Sequence, residues 1–170
     1  MLKKAYRLLR EVIWAFLHKV ADIMTHYSEE QYLNIHSGRM SLLVQLNNTR
    51  TARALYSLAS RELNDEPIIE SGKLLGKELY FLVPLRAWRR FLPDWRRWRE
   101  VHLGDVAYWP KGGFLCIFFG PTGVNPSGQI LPVAPVVVVG RIIDGMGTFE
   151  YFNELSLVYI EVTSEPHLSR

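Results

Sequence analysis

The stretch Gly104-Asp-Val-Ala-Tyr-Trp-Pro-Lys-Gly-Gly-Phe-Leu-Cys-Ile-Phe-Phe-Gly-Pro-Thr122 decides the fold. Gly104-Asp105 opens a strand and Pro110 closes it, while Lys111-Gly112-Gly113 supplies the positive-φ positions of a tight reversal. From Phe114 to Phe119 every side chain is apolar, so this second strand is buried on both faces. In a largely antiparallel chain that means a closed barrel or the interior of a sandwich. Cys116 falls inside the run and reads as a small buried hydrophobe.

Outward from the hairpin, the chain is predominantly strand and turn. Gln31 to His36 alternates polar and apolar, Ser37-Gly38 signals a turn, and Arg39 to Leu46 follows as the partner strand. Asn47-Asn48-Thr49 offers helix caps for a short helix over Thr51–Ala59, with Ala52, Leu55, Tyr56 and Leu58 toward the core. Arg61 to Gly72 reads as a surface loop, and Leu79 to Val83 as a strand ended by Pro84. Beyond the hairpin, Gly120 to Gly128 is a turn-rich loop, Val133 to Val139 an all-apolar strand and Arg141 to Phe152 a connection; Leu155 to Val162 forms the last strand.

Leu2, Tyr6, Leu9, Ile13, Phe16, Leu17, Val20 and Met24 recur at three- and four-residue spacing, which predicts a basic amphipathic helix over 2–25. Its longest apolar run, Val12 to Leu17, is far short of the ~20 residues of a membrane span and lacks the pattern of a secretory leader. Such a helix docks on the barrel, self-associates, lies on an anionic membrane surface or hangs as a loose extension. The expected layout is a helical extension over 1–28, a β-barrel domain over 29–164 and a tail over 165–170.

With 170 residues, 48% of them apolar and 22% charged, the composition is that of one soluble domain with a sizeable core. A single cysteine gives no disulfide framework, and a cytoplasmic location is expected. A net charge of +3 is too small to argue for nucleic acid. It is also uneven: residues 1–27 carry net +3, residues 86–100 net +4, and the remainder is net negative.

Several ordered pieces between Gln31 and Val162 resemble the cyclophilin-like domain family of small prokaryotic proteins of unknown function. They are Asn47-Asn-Thr-Arg-Thr-Ala-Arg-Ala-Leu-Tyr56, Gly76-Lys-Glu-Leu-Tyr-Phe81, Gly104-Asp-Val-Ala-Tyr-Trp-Pro110, Phe118-Phe-Gly-Pro-Thr122 and Ala134-Pro-Val-Val-Val-Val-Gly140. The resemblance implies a small closed β-barrel with short helices, here with an added N-terminal helix. Leu75 stands where the family has Trp and Val137 where it has Asn, so a pocket shared by those two positions would be altered. The Phe-His-Arg and Gln-Gly-Gly stretches of true cyclophilins have no counterpart, and fold kinship alone carries no prolyl isomerase activity.

Glu78 and Tyr80 share one face of a strand, and Tyr108 and Trp109 straddle the hairpin strand. A carboxylate beside aromatic rings suits a small polar or cationic ligand, so Glu78, Tyr80, Tyr108, Trp109, Phe119 and Thr122 are the expected ligand-binding set. The bland alternative leaves Glu78 in solvent and the rings as barrel filling. Trp88, Arg89, Arg90, Trp95, Arg96, Arg97 and Trp98 form a basic aromatic excursion suited to partner contact, whether the barrel, the N-terminal helix, a second subunit or an anionic surface. The five histidines lack metal-ligand spacing, and no phosphate-loop or nucleophile-elbow motif occurs. No catalytic residue, metal or cofactor is therefore assigned. The expected function is a small-molecule or protein binding module; the rival readings are a small-molecule enzyme with a pocket at the barrel mouth, and binding of an anionic partner through the Trp/Arg segment.

Overall fold

A computed structural model describes residues 13–14, 30–60, 71–83, 85, 100–123 and 127–163. The chain divides into two units, Met1–Glu30 and Gln31–Arg170. In the first, Ile13 and Trp14 are helical and exposed; the rest of the expected 2–25 helix lies outside the described residues, as does the Trp/Arg segment from Arg86 to Arg99.

The second unit is mainly β. Strands β1 (Tyr32–Ser37), β2 (Met40–Leu46), β3 (Lys73–Leu82), β4 (Asp105–Trp109), β5 (Phe114–Thr122), β6 (Val137–Asp144) and β7 (Tyr159–Thr163) form one sheet in the order β3-β5-β4-β6-β2-β1-β7. Every neighbouring pair is antiparallel. The β4–β5 hairpin is the one that the sequence predicts, with Gly113 at φ 78° closing the turn and its N–H donating to the Trp109 carbonyl.

The expectation of a closed barrel is corrected. The sheet is open, with β3 and β7 as its edges and no ladder joining them. Two backbone bonds bridge the gap just ahead of the edge strands, from Gly72 N to Ser156 O and from Leu155 N to Gly72 O. Leu155 has φ 69°, a left-handed turn conformation in which a side chain is rarely held.

Helix α1 (Arg50–Leu58) begins where Thr49 accepts a hydrogen bond from Ala52 N at 3.1 Å, the N-cap expected there. Its Ala52, Ala54, Leu55 and Leu58 are buried in the main core, and the helix lies against β6. Several strand boundaries differ from those expected: β6 begins at Val137 rather than Val133, and β7 at Tyr159 rather than Leu155. β3 begins at Lys73 rather than Leu79: Lys73 to Lys77 is exposed or half-exposed, and through Gly76 it pairs with Thr122 at the far end of β5. β6 runs to Asp144 and is followed by a 3-10 helix, Met146–Tyr151. β5 extends through Thr122, past a bulge that sets Gly76 opposite Thr122 but Glu78 opposite Phe118.

The all-apolar β5 is covered on both sides, as its composition requires. Leu115 and Ile117 enter the main core, whereas Cys116 and Phe118 face a second cluster with Val101, Ala107 and Val136. Segment 130–136 contributes Ile130 and Val136 to that second cluster. The candidate site lies on this face.

Candidate functional site

The alternation of β3 sends Leu79 and Phe81 into the main core and leaves Glu78 and Tyr80 on the opposite face. Tyr80 pairs with Cys116, and Cys116 with Ala107, so β3, β5 and β4 carry the site across adjacent strands. Leu75, Glu78 and Tyr80 from β3, Trp109 from β4 and Cys116 from β5 line a cavity of about 170 Å³, which the 132–136 segment completes. The cavity thus lies beneath a covering segment on the far face of the sheet, not at a barrel mouth.

Its polar centre is Glu78. The residue is 3% exposed, and its Oε2 is buried without a hydrogen-bond partner among the described residues. Burial pushes the carboxyl above its ordinary range, and a hydrogen bond from the Cys116 thiol pulls it partly back. The thiol itself is raised well above its usual value, first by burial, then by the charge of Glu78 and the bond to it. Cys116 is therefore protonated near neutral pH and is not a nucleophile. Trp109 contributes a second buried polar atom, Nε1, likewise without a partner among the described residues. Its indole stacks on Phe114 at 5.6 Å, and Tyr80 meets Phe114 edge-on at the same centroid distance. Gly112 is required beneath the indole, where an added Cβ would lie 2.5 Å from the Trp109 ring.

The other expected ligand residues are placed differently. Tyr108 is fully buried in the main core, opposite in direction to Trp109. Phe119 packs on the main core and stacks on Phe149 at 3.8 Å between centroids. Thr122 is buried and donates through Oγ1 to the Leu131 carbonyl at 2.6 Å, which ties β5 to the segment entering the cover. Glu78, Tyr80 and Trp109 are brought together; Thr122 acts one step away, and Tyr108 and Phe119 do not reach the cavity. Leu75 is part of the cavity wall, whereas Val137 packs in the main core, so the two departures from the family pattern are not in one pocket here. The expected contact residues Trp88, Arg89, Arg90, Trp95, Arg96, Arg97 and Trp98 lie outside the described residues.

Cys116 and the 132–136 segment are the parts that the sequence did not reveal. The i, i+2 alternation of β5 puts Cys116 with Phe118, but only the β3–β5 register puts it beside Glu78. Among the described residues, no cluster of three His, Cys, Asp or Glu side chains could hold a metal ion, and no helix is long and apolar enough to cross a membrane. A second depression over 142–151, about 560 Å³, is a wide surface hollow whose lining includes none of the buried polar residues.

Comparison with known proteins agrees with this architecture. The solution structure of a hypothetical protein from Archaeoglobus fulgidus superposes with a TM-score of 0.61 at 27% identity, covering 78% of this chain and 95% of that one. No curated protein matches the chain. The cyclophilin-like family matches residues 31–161, from just before β1 into β7. The match takes in β1 to β6, the first part of β7 and the whole described wall of the Glu78 cavity, and on that span the chain belongs to the cyclophilin-like family.

Proposed function

We propose that this protein is a small-molecule binding module whose ligand enters the Glu78 cavity, and that it has no prolyl isomerase activity. One observation carries the reading: Glu78 is a carboxyl buried to 3% exposure, with one oxygen unpartnered among the described residues, in the wall of a 170 Å³ cavity. A buried polar group left unsatisfied costs about 1–3 kcal/mol, and a ligand that supplies the missing partner recovers that cost on binding. Apolar and aromatic walls around a few convergent polar groups are the usual make-up of a ligand site. Binding is favoured over catalysis because the nearest nucleophile, Cys116, is held protonated by burial. The same reduced, lone thiol supports a cytoplasmic location.

The test is a fragment screen followed on the Trp109 indole N–H signal by NMR, assigned with Trp109→Phe. Ligands should move that signal and lose their effect in Glu78→Ala. Hits that map elsewhere, or that bind Glu78→Ala unchanged, would overturn the assignment. A protease-coupled proline-peptide assay, with a true cyclophilin as positive control, should show no rate above background.

A further inference from the structure

We infer that the ligand of the Glu78 cavity is a small organic ammonium ion, paired by the Glu78 carboxylate and flanked by the Tyr80 and Trp109 rings. The inference rests on the binding reading above and narrows it to one chemical class. Three features of the site converge on it. First, among the described residues the cavity wall has Glu78 as its sole acid and no basic side chain: Leu75, Tyr80, Trp109, Cys116 and the 132–136 segment are uncharged. An anionic ligand would meet a carboxylate with no compensating cation. Second, an ionised carboxylate only accepts hydrogen bonds, so a ligand that pairs the unpartnered Oε2 in that form must bring the donor. A neutral donor satisfies the hydrogen bond but leaves the buried charge unpaired; an ammonium group does both. Third, an aromatic wall stabilises a desolvated cation through the ring quadrupoles. At 170 Å³ the cavity is smaller than the roughly 300–1,000 Å³ of a drug-sized site, which limits the ligand to a simple amine.

Proton linkage follows. The groups facing Glu78 are Tyr80 on its own strand, Cys116 from β5, and Asp105 from β4 beyond Phe118; residues 130–136 bring none, and Lys77 lies against Gly120 of β5. Asp105 is already paired with Arg141. Glu78 is therefore the group whose titration governs the site. Burial favours its neutral form, and the ammonium ion binds the ionised form, so the bound cation displaces one proton from each Glu78 that was protonated. Affinity should fall as pH drops through the Glu78 titration.

The experiment compares benzylammonium and n-butylammonium with benzyl alcohol and benzoate on the full chain, by calorimetry and by the Trp109 indole signal, at pH 5 and pH 7. Both amines stay charged across that range. The ammonium ions should bind at least tenfold more tightly than benzyl alcohol at pH 7, weaken at pH 5, and lose their preference in Glu78→Gln; benzoate should not bind. The wild-type probe and pH series stands without any variant. If benzyl alcohol or benzoate moves the Trp109 signal as strongly as the amines, the cavity is a ligand site but not for a cation, and this inference fails alone. If the amine preference persists in Glu78→Gln, the charge lies elsewhere and the inference also fails. If no probe of any charge moves the Trp109 signal, the inference fails together with the binding reading.

Discussion

Glu78 and Asp105 are buried carboxylates on the same face of the sheet, set on either side of Phe118, and they differ in what neutralises them. Phe118 pairs with Glu78 across β3–β5, and its carbonyl accepts from Gly104 N next to Asp105. Asp105 receives the His102 backbone N–H at 2.8 Å and the Arg141 guanidinium at 3.2 and 3.1 Å. Glu78 has the Cys116 thiol, while its Oε2 has no partner among the described residues. The first arrangement satisfies a charge within the fold; the second leaves one to be satisfied from outside.

A stability profile against pH follows for Glu78. Its folded-state pKa is raised, so the native state holds a proton more tightly than the unfolded chain does. Stability is then greatest below the unfolded glutamate value of about 4.3 and is lost as pH rises through the folded value. Glu78→Gln removes that loss. The variant should melt a few degrees above wild type at pH 8, about 2–4 °C for each kcal/mol recovered, and converge with it near pH 4. Thermal melts from pH 4 to pH 8 measure this. A Glu78→Gln protein less stable than wild type at pH 8 would show that the carboxylate has a stabilising partner.

Asp105 should behave in the opposite way. Asp105→Ala strips the acceptor from the His102 N–H and leaves Arg141 without its anion, a loss of about 1.5–3 kcal/mol for hydrogen bonds to a charged group. Asp105→Asn keeps an acceptor for His102 and should lose less. Arg141→Ala should also lose less than Asp105→Ala, because the arginine side chain is 59% exposed and water can take its place on the carboxylate. Urea denaturation of the three variants gives the order directly, and an Arg141→Ala loss as large as that of Asp105→Ala would contradict it.

The β4–β5 hairpin, the Thr49 cap and the β1–β2 pair were legible in the sequence because their signals are local: glycines in a turn, a hydroxyl before a helix, period-two alternation. Sheet closure was not legible, because it depends on whether the two edge strands, far apart in sequence, pair with one another, and no local turn signal reports that. The site was half legible. Glu78, Tyr80 and Trp109 follow from alternation along two strands, but the bulge in β5 and the cover over 132–136 are tertiary, and they convert an apparent solvent-face carboxylate into a buried one. Phe119 follows the plain alternation of β5: like Leu115 and Ile117 it faces the main core, where it stacks on Phe149, away from the cavity.

The Trp/Arg segment separates two effects by composition. Replacing Arg89, Arg90, Arg96 and Arg97 with Ser should leave the β unit folded, because solvated arginines contribute little singly. It should also reduce the affinity for an anionic partner such as heparin and flatten the salt dependence of that binding. Replacing Trp88, Trp95 and Trp98 with Ala should cost stability if those rings anchor the segment, about 3–5 kcal/mol for a fully buried ring, and lower the Tm accordingly. If melting temperature, oligomeric state and heparin binding are unchanged in both sets, the segment is not a contact surface.

Removal of residues 1–27 tests whether the β unit is self-sufficient. The family match starts at residue 31, and the second unit starts at Gln31. β1 begins at Tyr32 and is held on both sides, by β2 and by β7, so the truncation takes no strand from the sheet. Leu33 and Ile35 of β1 pack in a core built from β1–β7 and α1. The truncated chain should keep its strand signature in circular dichroism and melt cooperatively. Its Tm should fall by no more than about 4 °C, a shift of roughly 1 kcal/mol for a chain of this length. Solubility and oligomeric state are the properties expected to change, because an amphipathic helix over 2–25 would cover apolar surface with one face. A molten or unfolded product, or a loss of amine binding at Glu78 without a loss of fold, would instead show that the N-terminal segment completes the core or the site.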